Sequence, residues 1–149
     1  MDSSSAKCPE WLADRIVTAG GSISFFQYMD WVLNDPEHGA YSRGNLIIGK
    51  EGDFATSPSL GPDFAELLAV QLVSWLEQLV LENVDDLPLS IIEVGPGEGE
   101  LTFELIRAIT ELNPQIISKL EFVLVEINDG MLLRQKERLS SISSISVRW

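Results

Sequence analysis

The densest chemistry in the sequence lies in one stretch, Glu93-Val94-Gly95-Pro96-Gly97-Glu98-Gly99-Glu100-Leu101. It follows a short apolar run, Leu89 to Val94, and precedes an apolar-periodic segment from Leu101 to Leu112. Strand, glycine loop, helix is the setting in which a glycine pattern signals a ligand cradle. Gly95 and Gly97 can adopt backbone conformations closed to other residues and let a ligand approach the main chain, while Gly99 permits close approach where the helix leaves the sheet. There is no Gly-Lys-Ser/Thr, so a P-loop is excluded. A phosphate at the helix N-terminus would face Glu93, Glu98 and Glu100, so the loop suits a cationic ligand better. A sulfonium with an ammonium, as in S-adenosylmethionine, fits that description.

A second carboxylate, Glu126, closes the next apolar run, Leu120 to Glu126, 33 residues after Glu93. In a parallel sheet both strand ends face the same crevice, and a carboxylate there can accept hydrogen bonds from two ribose hydroxyls. Read alone, Glu126 is equally the first polar residue after an apolar strand. Upstream, 46–62 is rich in Gly, Ser and Pro and reads as a long ordered loop, a feature that usually carries a function. Asp53 in that loop could reach a substrate as a catalytic carboxylate, or could stabilise an Asx-type turn. His38 and Cys8 lie thirty residues apart without clustered ligands and make no metal site.

The elements that position these residues follow from periodicity. Trp11 to Ala19 reads as a helix stopped by Gly20 and Gly21. Ser24 caps a second helix over Phe25 to Leu33, whose aromatic face is expected to be buried. Asp63 to Glu82 repeats at i, i+3/i+4 with Pro62 at its entrance, and an acidic turn spans 83–88. Strands over 89–94 and 120–126, helices over 101–112 and 130–139, and a strand beginning near Ile145 give alternating β and α elements. That order predicts an α/β, Rossmann-like parallel sheet with an N-terminal helical extension, stopping near its third strand. The organisation expected is a leader and short helix over 1–22, a helical and loop region over 23–82, and the start of the ligand-binding domain over 83–149. The basic residues of the last helix, Arg134, Lys136 and Arg138, could complement an acidic partner or, the preferred reading, solubilise one face.

Net charge is -13, and no Lys or Arg occurs between Lys50 and Arg107 while twelve acids do. A nucleic-acid backbone would find no counter-charge there; a small cation or a basic protein partner fits better, although net charge alone favours a surface simply made soluble by acids. One cysteine excludes an intrachain disulfide. The acidic, polar first residues lack signal or transit character, which leans toward a bacterial cytoplasm over a mitochondrion, and the apolar runs are too interrupted to predict a membrane span.

With these motifs placed, the chain resembles the N-terminal part of the MidA-like proteins, whose mitochondrial members include the complex I assembly factor that methylates an arginine. The resemblance rests on Phe26-Gln27-Tyr28-Met29, Pro36-Glu37-His38-Gly39-Ala40-Tyr41, Gly52-Asp53-Phe54-Ala55-Thr56-Ser57-Pro58, Phe64 to Leu68, the 93–101 loop, Val125-Glu126, Leu133-Arg134-Gln135 and Leu139. It implies a class I methyltransferase fold and S-adenosylmethionine as cofactor. Glu93, Gly95, Gly97 and Gly99 would surround its amino-acid end and Glu126 would hold its ribose. The 52–58 loop would fold over the active site, bringing Thr56, Ser57 and Pro58 near cofactor or substrate. The chain departs from the family at Ser59, Glu98 and Glu104, of which Ser59 bears on the substrate side. The implied activity is methyl transfer to an arginine of a protein partner, by resemblance a respiratory-complex subunit. A chain this short would carry much of the cofactor site, would be inactive alone, and would self-associate through uncovered apolar surface. Two other readings stand beside it: a non-catalytic interaction protein that retains the cofactor loop, and a small Rossmann-like nucleotide-binding module.

Overall fold

The computed structural model describes residues 7–44, 46–47, 49, 52–53, 55–82 and 88–149. The acidic turn expected over 83–88 lies, Pro88 apart, outside the described residues, as does Phe54. Helix α1 spans Glu10–Thr18 and ends where Gly20 and Gly21 take φ values of 99° and 85°. Helix α2, Phe25–Asn34, begins with a reciprocal capping box: Ser24 Oγ accepts from Gln27 N–H and Gln27 Oε1 accepts from Ser24 N–H, each at 3.2 Å. The two helices are joined by polar and aromatic contacts. Arg15 pairs with Asp35 at 2.5 Å and lies 4.3 Å over the Trp31 ring, and Trp11 stacks on His38 at 4.7 Å.

This arrangement corrects one expectation. The aromatic face of α2 is not buried: Phe25 and Phe26 are 76% and 79% exposed. The partly buried side carries Met29, Trp31, Val32 and Leu33, and α1 reaches it through Arg15.

The core lies further on. Helix α3, Asp63–Glu82, packs Ala65, Ala69 and Leu76 toward helix α4, Glu100–Leu112, which buries Leu105, Ile106, Ala108 and Ile109. The small residues Ala65, Ala69 and Ala108 let the helices approach closely. Both cover one face of a parallel sheet ordered β1-β2-β3, built from Leu89–Val94, Leu120–Val125 and Ser146–Arg148. Helix α4 connects β1 to β2, and helix α5, Asp129–Arg138, connects β2 to β3. Alternation along β2 turns Leu120, Phe122 and Leu124 into the core. The same alternation in β1 turns Ile92 and Val94 to the opposite face, where they are 63% and 76% exposed, with Val125 beside them. That second face has no layer over it within the described residues.

At 20 residues α3 is also long and apolar enough to cross a membrane. Here it lies along α4 as a core helix, with Phe64, Leu67 and Trp75 on its outer side exposed.

The two faces of the sheet predict a contrast. Phe122→Ala should cost about 3–5 kcal/mol in urea unfolding. Ile92→Ala should stay within about 0.5 kcal/mol. Equal losses would mean that the layer assignment is wrong.

Candidate cofactor-binding site

The site grows from the register of β1 on β2. Val94 sits opposite Val125, and Gly95 N–H donates to Val125 O at 3.0 Å, so the glycine loop is pinned to the second strand as it leaves the first. Gly95, Gly97 and Gly99 have φ values of 66°, 56° and 80°, a region that side chains strain to enter. At Gly99 the φ, not space, is the constraint, since an added Cβ would sit 3.5 Å from Gln135, an ordinary contact. The loop closes through Gly99 N–H on Pro96 O at 2.8 Å and delivers the chain into α4.

Two adjoining cavities meet at this loop. One, of 220 Å³, is lined by Glu93, Pro96, Glu98, Glu100 and by Thr56, Pro58 and Ser59 of the upstream loop. The other, of 360 Å³, is lined by Glu126, Ile127, Asn128 and Met131 and by Asn34 and Tyr41 of the N-terminal region. Thr56, Gly95 and Gly97 border both. A ligand with a charged end and a bulky end could lie across the loop with one part in each.

The three acids of the loop differ in state. Glu98 pairs with Arg134 at 2.7 Å and with Arg138 at 3.6 Å, and Glu100 pairs with Arg138. Arg138 Nε also donates to Glu98 O at 3.1 Å, and Arg134 donates to Leu46 O at 3.3 Å and to Gly44 O. This overturns the reading of the basic face of α5 as a solubilising surface. Arg134 and Arg138, four residues apart on one helix face, neutralise two of the loop acids and tie the N-terminal region to them. Sequence signs alone could not pair them; the signal was their i, i+4 spacing beside the matched Leu133-Arg134-Gln135.

Glu93 is different. Its carboxylate takes a short hydrogen bond from the hydroxyl of the fully buried Thr102 and, among the described residues, meets no cation. Burial pushes its pKa above the usual carboxylate range, with the Thr102 hydroxyl and N–H pulling the other way.

Glu126 is held from three sides. Its Oε1 accepts from Ile127 N–H and Asn128 N–H, both at 2.9 Å, and its Oε2 accepts from Gln135 Nε2 at 3.0 Å. Of roughly four lone-pair sites on a carboxylate, these leave one for a ligand. Simultaneous capture of two ribose hydroxyls, expected from sequence, would need one internal bond to yield.

Upstream, Asp53 braces its own loop. Its Oδ2 accepts from Ile47 N–H at 3.0 Å while its N–H donates to Ile47 O at 2.8 Å. The paired strands of chain come so close at Gly52 that a Cβ would run into Ile47 O. Asp53 is exposed and lines neither cavity, and its carboxylate reaches back six residues rather than closing an Asx-type turn. Thr56 and Pro58 line the site, while Ser57 is exposed and does not. Ser59 closes the short 3-10 turn over Ser57–Leu60, accepting from Thr56 N–H at 2.9 Å and donating to Thr56 O at 2.8 Å.

The raised Glu93 pKa has a definite sign. The folded chain holds this proton more tightly than the unfolded chain, so the ionised form is destabilising. The group costs nothing below the ordinary 4.5, and its penalty grows as pH rises from there through the raised value. Melting temperature followed against pH should show this loss in wild type and a flatter curve in Glu93→Gln. Parallel curves would show that burial of Glu93 does not perturb it.

Comparison with known proteins places the chain. Residues 67–149 match the family described as "Putative S-adenosyl-L-methionine-dependent methyltransferase". The protein named "Protein arginine methyltransferase NDUFAF7, mitochondrial" from Xenopus tropicalis is 32% identical over 126 residues, 83% of this chain and 28% of the relative. Its Danio rerio counterpart is 37% identical over 102 residues, 68% of this chain and 22% of the relative. A Burkholderia thailandensis structure bound to S-adenosyl-homocysteine superposes with a TM-score of 0.69 at 31% identity, covering 93% of this chain and 35% of that one. The chain therefore spans less than a third of the curated relatives named here. The cytoplasmic expectation is overturned, because the named curated relatives, from fly and frog to human, are all mitochondrial. The acidic first residues were a poor guide to compartment. With the strand–loop–helix cradle, the parallel sheet and these matches in agreement, the chain belongs to the MidA-like family of S-adenosylmethionine-dependent methyltransferases.

Proposed function

We propose that this chain supplies the cofactor-binding part of a protein arginine methyltransferase that works in mitochondria. The observation that carries the reading is Glu93: a partly buried carboxylate that meets no cation among the described residues, lining a cavity whose other acids are already neutralised by Arg134 and Arg138. Such a group favours a ligand that brings its own positive charge and disfavours a phosphate. S-adenosylmethionine brings an ammonium and a sulfonium and supplies an electrophilic methyl. Glu93 and the turn at Gly95, Gly97 and Gly99 would hold its amino-acid end, and Glu126 would accept from its ribose. Thr56 and Pro58, which border the first cavity, would exclude water from the reacting end, with Ser57 on the outer side of the same turn.

The acceptor follows from the relatives' names and from the family resemblance: an arginine on a protein partner, with a respiratory-complex subunit as the candidate. A protonated guanidinium is a poor nucleophile, so carboxylates must orient it and take its proton. Asp53 is committed to its loop, and we assign it a bracing role. The acceptor-side groups belong, on this reading, to the larger part of the protein that the relatives possess and this chain does not span. The uncovered sheet face around Ile92 and Val94 would dock that part, and in the isolated chain it would drive self-association.

Calorimetric titration of the chain with S-adenosyl-homocysteine should give a micromolar dissociation constant, about -8 kcal/mol. Glu126→Ala should weaken it at least tenfold, and NAD should not compete. Tight NAD binding in place of S-adenosyl-homocysteine would establish the nucleotide-module reading instead. Sedimentation should find concentration-dependent oligomers that Ile92→Lys reduces; a monodisperse wild-type monomer would contradict self-association.

A further inference from the structure

Gln135 stands on α5 beside the two arginines, yet it does something neither of them does. It is one of two buried polar residues among the described residues and has no solvent exposure. Its Nε2 donates to Gly97 O at 2.7 Å and to Glu126 Oε2 at 3.0 Å. Its Oε1 accepts from Trp149 Nε1 at 3.1 Å. The amide orientation is forced by its neighbours. A carbonyl and a carboxylate can only accept, and an indole N–H can only donate, so a flipped amide would face like against like at all three contacts.

The placement links the two cavities. Gly97 borders both, and Glu126 lines only the larger. One planar amide thus fixes the backbone of the glycine loop relative to the carboxylate. The Oε2 bond also decides which way the Glu126 carboxylate faces, because its Oε1 is held by two backbone N–H groups of its own loop. Without the amide, Glu126 could pivot about that anchored oxygen, and the part-buried Gly97 O would lose the donor that holds it.

We propose that Gln135 is a positioning residue for cofactor binding: it locks Glu126 and the glycine loop into one preformed unit, with a single open acceptor site on Glu126 aimed into the larger cavity. The inference rests on the cofactor reading above and deepens it. No residue except glutamine offers two donors and an acceptor at this reach. Asparagine is one methylene too short, and glutamate would set a third acceptor against the other two.

The test uses the 149-residue chain and S-adenosyl-homocysteine as the probe, with Gln135→Leu, Glu126→Ala and the double variant. Gln135→Leu should weaken binding about tenfold in the wild-type background and clearly less when Glu126 is alanine, because only its bond to the glycine loop is then left to lose. An equal loss in both backgrounds would overturn the proposal and leave Gln135 a packing residue. Should Gln135→Leu fail to fold, Gln135→Glu serves in its place. Binding to that variant should strengthen as pH falls and the new carboxyl takes up a proton, whereas a pH profile parallel to wild type would count against the proposal. A second readout needs no ligand. Amide hydrogen exchange at Ile127 and Asn128, whose N–H groups bond Glu126, should quicken in the Gln135 variant; unchanged rates would overturn the positioning role. If wild type binds no S-adenosyl-homocysteine but these amides respond, the cofactor reading falls and the positioning role of Gln135 stands.

Discussion

Parallel pairing of β1 with β2 is the constraint on which the site depends. The register that sets Val94 against Val125 makes both strands end at one level, and the Gly95 to Val125 hydrogen bond carries that alignment into the loop. Glu93 and Glu126, distant in sequence, then stand at the same crevice because parallel strands deliver their carboxyl ends to one side of a sheet. The pairing is itself held by the core: Phe122 and Leu124 on β2 pack under α4, whose first turn is the end of the glycine loop. Packing, loop geometry and carboxylate placement are therefore one problem with one solution.

The site's charge is set by a single turn of α5. Arg134 and Arg138 take Glu98 and Glu100 out of the electrostatic field of the cleft, and Gln135 between them fixes Glu126. What remains, among the described residues, are Glu93, bonded to the Thr102 hydroxyl, and Glu126, bonded to neutral N–H donors, neither of them meeting a cation. An acidic composition would give only a diffuse preference for cations; the pairing pattern turns it into a position. Arg134 extends this to the N-terminal region through Gly44 O and Leu46 O, so the segment carrying Tyr41 is tied to the same helix that orders the loop.

Much of this was legible in the sequence because it is local. The N-cap at Ser24, the helix over 63–82, the strand ends at Glu93 and Glu126 and the glycine loop each follow from neighbouring residues, and the structure places them within a residue or two of expectation. What was not legible depends on contacts across the chain. The exposure of Phe25 and Phe26 could not be read from their apolar character, since burial depends on whether another element arrives to cover them. The roles of Arg134 and Arg138 needed their partners, some forty residues earlier. The bond from Ile47 N–H to the Asp53 carboxylate joins positions six residues apart that no local pattern pairs.

The most direct measurement is a crystal structure of the chain with S-adenosyl-homocysteine. The ligand should lie across the glycine loop, its ammonium within hydrogen-bond reach of Glu93 and a ribose hydroxyl on Glu126 Oε2, with Gln135 still bonded to both of its acceptors. A ligand bound elsewhere, or one whose ammonium avoids Glu93 while Glu126 keeps only its internal partners, would contradict this placement.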